Sequence, residues 1–272
     1  MNFLVEHPGI MSLLCGLAMS VFALIGIVLN RRLAPDDGGR DYRGIFVSSS
    51  LGLLSLVIGF TLSMAVGRYD LRKSYEAHEA NTISTEYIRV DLLGGDEQAK
   101  LRGLISNYLD ERIRFYVSRN ENDLQQIAGN TVQLQTAMWD AVRAPAKVQR
   151  NAVDALVVAG MNEVIDDQGY TQAAWRNRLP IETWALMLAL ALFANFFIGF
   201  SKPPKMSQLG ALTIMPVIIS VAFMLIGDID SPRGGFVNIE PHNLLEVAQS
   251  LKSSPGNTPD PTAATTLQLP HG

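Results

Sequence analysis

From Gly44 to Gly67 the chain carries no charged residue and no proline, and it then passes without interruption into a charged, helix-patterned segment, Arg68 to Leu93. If both parts are helical they form one rod of about 50 residues, roughly 75 Å at 1.5 Å per residue and more than twice the hydrocarbon thickness of a bilayer. A helix of this kind leaves the membrane and continues into water. The rest of the chain has to be arranged around it.

Three further blocks are long and apolar enough to cross a membrane, which takes about 20 residues. The first is Met11 to Asn30, followed at once by Arg31 and Arg32. The third, Ile181 to Phe200, opens after Pro180, with Trp184 as an expected interfacial anchor and Glu182 as its one charge. The fourth, Leu209 to Gly227, contains Pro216, which a membrane helix tolerates as a kink. The spans predicted are therefore about 11–30, 44–67, 181–200 and 209–227. The first ten residues hold no Lys or Arg, so the first block is expected to be a retained anchor and not a cleaved signal.

Basic residues give the orientation. The loop from Arg31 to Arg43 holds Arg31, Arg32, Arg40 and Arg43, and the other short loop holds Lys202 and Lys205. With the first helix dominating, both loops fall in the cytoplasm and both termini and the extramembrane domain on the outer side of a bacterial inner (plasma) membrane. Arg68, Arg72, Lys73, Arg176 and Arg178 pull the other way.

The region 68–179, between the second and third spans, reads as entirely helical. Asp96 is an expected N-cap after Gly94-Gly95, and Leu101, Leu104, Ile105, Tyr108, Leu109, Ile113 and Tyr116 recur at spacings of three and four. A second helix runs from about Asp123 to Val142 and is expected to end at Ala144-Pro145. A third runs from about Ala146 to Asp167 with Gly169 as its stop, and Thr171 then caps a short turn before Pro180. After the fourth span, residues 228–252 supply a turn, Asp228 to Gly235, and a small amphipathic helix with Leu244, Leu245, Val247, Ala248 and Leu251. The Pro, Ser and Thr content of 253–272 predicts a disordered tail. The fold class is an all-α integral membrane protein: residues 1–67 and 180–227 each form a pair of membrane helices, with a helical domain inserted between the second and third spans.

What the chain lacks excludes several functions. No Asp, Glu, Lys, Arg or His lies inside a span beyond Glu182, so the buried ionisable groups of ion-coupled transport are missing. Phosphate-binding loops, dinucleotide fingerprints and paired-Cys zinc spacings are absent, which argues against an enzyme, a cofactor or a bound metal. A net charge of -4 provides no footprint for nucleic acid, and the lone Cys15 cannot form an intrachain disulfide.

Ser48, Gly52, Ser55, Gly59 and Ser63 share one face of the second span, at spacings of four, three, four and four. Small faces of this kind let membrane helices approach closely; alternatively the face lines a narrow polar path in an oligomer. Asn195, deep in the third span, is expected to bond across helices or to line the same path. Glu79 and Glu86 lie seven apart on the charged continuation. They either solvate an exposed face, as Arg72 and Glu76 are expected to do, or form acidic rings at the mouth of a pathway. Asp228 and Asp230 offer two carboxylates, short of the six to eight oxygens that calcium takes.

Several motifs in order carry a likeness. They are the Arg31-Arg32 stop, the run Gly59-Phe60-Thr61-Leu62-Ser63-Met64-Ala65-Val66 leading to Arg68-Tyr69-Asp70, and Glu79-Ala80-Asn81 with Tyr87, Arg89, Asp91, Leu92 and Leu93. Asp228-Ile229-Asp230-Ser231-Pro232-Arg233-Gly234 completes the set. Together these resemble the bacterial bestrophin-like domain family over nearly the whole chain except the tail. The resemblance implies distant kinship to bestrophin anion channels, which are oligomers with four membrane helices per subunit and cytoplasmic termini, the reverse of the charge count above. The chain lacks their acidic calcium-binding run after the last span and a phenylalanine-rich neck in the second. The function expected is that of a homo-oligomeric ion channel or permeation protein in the lipid bilayer, with inorganic ions as the permeating species. The alternative, from another class, is a non-conducting sensor or scaffold whose helical domain binds a partner protein.

Overall fold

The computed structural model describes residues 8–33, 40–148, 151–201 and 209–253. Among them every regular element is a helix, with no strand. In chain order the helices are α1 (Pro8–Leu33), α2 (Arg40–Arg89), a 3-10 turn (Val90–Leu92), α3 (Gly95–Val117), α4 (Glu121–Val148), α5 (Ala152–Arg176), α6 (Ile181–Ser201), α7 (Leu209–Asp230) and α8 (His242–Ser253). The long rod expected from the second span is one unbroken helix of 50 residues. Two compact units share it: Met1–Leu71 with Trp175–Asn238, and Arg72–Ala174 with Ile239–Gly272.

In the first unit α1 packs against α6 and α7. The α1–α6 contact is backbone against backbone, because Gly26 and Gly199 leave no side chain between the helices. A Cβ at Gly26 would overlap the Phe196 carbonyl oxygen and lie 2.9 Å from the Phe200 nitrogen, and one at Gly199 would overlap the Ala23 carbonyl. Small residues permit this approach in a bilayer, where dispersion and not water exclusion joins helices. Against α7 the link is polar: the Ser12 hydroxyl donates to the Ser220 carbonyl at 2.9 Å. Met19, Leu54, Ala65, Trp184, Met187, Ala191, Ile219 and Phe223 make up much of the core. Trp184 packs edge-to-face on Phe223 at 6.3 Å and is buried, so the expectation of an interfacial anchor there is corrected. Outward-facing Leu13, Leu17, Val21, Leu53, Phe60, Leu186, Phe193, Val217 and Val221 are all exposed. Apolar surface so extensive is untenable in water and natural against lipid.

The second unit contains the last part of α2, the α3–α4 hairpin, α5 and α8. Gly94 precedes α3 in extended conformation and Gly95 takes φ +67°, so Asp96 belongs to the first turn and is not the cap. Its carboxylate is still well placed against the helix dipole. Pro145 does not end α4, which runs three residues further; a helix loses only one backbone hydrogen bond to a proline so near its end. Nor does Gly169 end α5. The packing of Thr171, Ala174 and Trp175 beyond it outweighs the roughly 1 kcal/mol by which glycine disfavours a helix. The true start of α5 is capped by Asn151, whose side-chain oxygen accepts from the Asp154 N–H at 2.7 Å. The tail expected to be disordered begins at 253 and lies outside the described residues beyond that position.

The short helix α8 is held from its own N-terminus. Glu76 of α2 accepts from the Leu244 N–H at 3.0 Å and from the Asn243 side-chain amide at 2.5 Å, so a carboxylate meets the positive end of the helix. Glu76→Ala is expected to release α8 locally, at a cost of about 1–2 kcal/mol. Hydrogen exchange of residues 242–253 should speed up roughly tenfold, with the other helices unchanged. Unchanged protection of α8 would refute this role for Glu76.

Candidate functional site

Within the first unit, α2 has two unlike faces. Leu54, Thr61 and Ala65 are buried in the core, whereas Ser48, Gly52, Ser55, Gly59 and Ser63 are all exposed on the other side. A Cβ at Gly52 or Gly59 would meet nothing within 4 Å among the described residues. Ser48 donates its hydroxyl hydrogen to the Gly44 carbonyl at 2.9 Å and Ser55 to the Gly52 carbonyl at 2.8 Å. Each serine oxygen keeps its acceptor lone pairs for whatever lies opposite. Among the described residues the face therefore has no packing partner. Asn195 is not on it: the residue is buried and its amide donates to the Ala191 carbonyl of its own helix at 2.8 Å. The expected interhelical bond is replaced by a bond one turn back along α6.

Past the last span, Asp228 and Asp230 are buried and committed to the chain. Asp228 accepts from the Phe236 N–H at 2.7 Å and the Val237 N–H at 2.9 Å, which folds the turn back onto α7. Asp230 accepts from the Leu179 N–H at 3.0 and 3.2 Å and pairs with Arg68 at 3.5 Å. Arg233 lies over the Trp175 ring at 4.2 Å. Both carboxylates brace the turn, and no cluster of metal-ligating groups is found among the described residues.

In the second unit, α2 turns a charged face inward. Arg72, Glu76, Glu79, Ile83, Glu86 and Val90, spaced four, three, four, three and four, are all buried. The expectation that Glu79, Glu86, Arg72 and Glu76 solvate an exposed face is corrected, and neither Glu79 nor Glu86 is presented to a mouth. Glu79, 0% exposed, is forked by Arg112 of α3, whose Nε and Nη2 address its two oxygens. It accepts further from the Tyr116 hydroxyl at 3.2 Å and the Thr171 hydroxyl at 3.3 Å, so three helices converge on one carboxylate. Burial pulls the Arg112 guanidinium down, but Glu79 more than offsets this and holds it above its usual range. The Tyr116 hydroxyl is also pushed up, first by burial and then by the Glu79 charge. Arg72 donates to the Ala174 carbonyl at 3.1 Å, closing α5 onto α2.

Arg112 and the Tyr116 hydroxyl, as donors to Glu79, were not among the site residues expected from the sequence. One signal was present: Arg112 falls four residues after Tyr108 and four before Tyr116, inside the apolar stripe of α3. A charge in a core register that matches carboxylates at the 4/3 spacing of another helix marks a buried pair.

The arrangement defines a class: a multi-pass membrane protein of four spans, whose long second helix continues into a helical unit keyed by a buried ion pair. The Bestrophin-like domain model matches residues 13–244, and the chain belongs to that family. Its fold is similar to the crystal structure of a bacterial bestrophin homologue from Klebsiella pneumoniae, at 14% identity over 92% of this chain and 99% of that one, with a TM-score of 0.62. A variant of a bestrophin homologue from the same organism matches at 12% identity over 92% and 99%, with a TM-score of 0.64. No curated protein sequence matches the chain.

Proposed function

We propose that the chain is one subunit of a homo-oligomeric ion channel in the bacterial inner membrane, with Ser48, Gly52, Ser55, Gly59 and Ser63 of α2 lining its path. The observation that carries this reading is the open face itself. A stripe of hydroxyls and bare backbone is left without a partner among the described residues, on the opposite side of the same helix from a packed apolar core. Copies arranged around an axis would turn such faces toward one another and enclose a narrow polar lumen without any fixed charge. The family supports it through the kinship of its fold to bestrophins.

Ser55 sits at the centre of the stripe, so Ser55→Trp is expected to reduce ion flux in proteoliposomes by roughly tenfold or more while leaving oligomer mass and thermal stability unchanged. Purified protein that carries no current under gradients of monovalent cations and anions would overturn the channel reading. A stoichiometric protein partner, bound equally by wild type and Ser55→Trp, would establish the scaffold alternative instead.

A further inference from the structure

The network around Glu79 leaves the other buried carboxylate of α2 out. Glu86 is fully buried, and neither of its oxygens accepts a hydrogen bond. It rests directly on the backbone of α5 beside the Arg89 guanidinium, because a Cβ at Gly160 would overlap both the Glu86 carboxylate and Arg89 Nη1. Arg89, on its own helix, reaches Oε2 only at 3.6 Å, and that guanidinium donates instead to Glu163 of α5 at 3.3 Å. From α3, Arg102 is held by Asp91 and lies over the Tyr87 ring at 5.0 Å. Among the described residues the charges that bear on Glu86 are therefore one shared cation and one like charge.

A buried carboxylate that is neither hydrogen-bonded nor cleanly paired costs too much as an anion and takes up a proton instead. We propose that Glu86 is a proton-binding latch between α2 and α5: the neutral carboxyl seats on Gly160, and loss of the proton loosens that contact by drawing Arg89 away from Glu163. Its electrostatics run the same way. Burial pushes the Glu86 carboxyl up to about 8, Arg89 opposes the rise, and Glu163 adds to it. Because the folded value lies above the ordinary 4.5, the folded chain keeps a proton that the unfolded chain has lost. Stability from this group is thus fully present below about pH 4.5, falls as pH rises to about 8, and changes no further above it. The latch holds whether or not the protein conducts.

The test uses the full chain in nanodiscs. Infrared difference spectra between about pH 6 and about pH 10 should show a protonated-carboxyl carbonyl band that disappears with a midpoint near 8 and is missing in Glu86→Gln. Two variants at the less buried partners Arg89 and Glu163 keep the test decisive if Glu86→Gln does not fold. Glu163→Gln frees Arg89 and should lower the midpoint; Arg89→Gln should raise it. Thermal stability of the wild type should decline between about pH 6 and about pH 8 relative to Glu86→Gln, which stays level. No titrating band, the same band in Glu86→Gln, or a midpoint indifferent to both Arg89 and Glu163 would overturn the proposal.

Discussion

Arg112→Met is expected to cost the helical unit about 3–5 kcal/mol, because it removes the cation paired with Glu79 and leaves a fully buried carboxylate held by hydroxyl donors. Tyr116 and Thr171 can still donate to it, at 3.2 and 3.3 Å, but hydroxyl groups do not balance a charge. Methionine fills most of the volume of the arginine stem, so the loss reports the charge and not a cavity. Adding Glu79→Gln should restore most of the stability, since the amide oxygen still accepts from Tyr116 and Thr171 while the buried charge is gone. The pair thus gives a coupling that a double-mutant cycle can read from thermal or denaturant unfolding of the full chain in detergent. If Arg112→Met alone unfolds like the wild type, Glu79 is not a buried anion.

A loss as large is expected in the membrane unit from Gly26→Leu or Gly199→Leu. What each added carbon meets is carbonyl and amide backbone of the facing helix, which cannot rotate aside as a side chain would. Overpacking in a yielding core costs about 1–3 kcal/mol, and at a backbone contact the helices must separate, so these substitutions belong at or beyond the upper end. The expected result is loss of monodisperse protein on extraction. Gly103→Ala supplies the contrast. Gly103 is exposed on α3 with nothing within 4 Å, so alanine there should stabilise the helix by about 0.5–1 kcal/mol. Recovery of Gly26→Leu and Gly199→Leu at wild-type yield and melting temperature would show that α1 and α6 do not meet at their backbones.

The four spans and the unbroken second helix were legible because hydrophobic length is a strong and purely local signal. The interior of the helical unit was not, and α2 shows why. Its buried register, Arg72, Glu76, Glu79, Ile83, Glu86 and Val90, is mostly charged, so hydrophobic periodicity assigned it to solvent. The partners that make its burial tolerable sit 33 residues away, at Arg112, or 92 residues away, at Thr171, and beyond the register of Arg112 within the apolar stripe of α3 no local pattern links them. Helix ends failed too: Gly169 is a local breaker overruled by the burial of Thr171, Ala174 and Trp175 on its far side, and Pro145 is tolerated because it lies so near the end of α4. The small-residue stripe was readable as a stripe, while its lack of a partner among the described residues is a property of the assembled unit.

Asp230 has a meaning for biogenesis. Its one carboxylate, at the end of the last span, receives the Leu179 N–H that precedes the third span and the Arg68 guanidinium that follows the second. Until α7 has been threaded into the bilayer, a nascent chain carries that cation and that amide without their acceptor. Synthesis halted before residue 230 would leave a membrane intermediate with an unsatisfied charge near the exit of its longest helix.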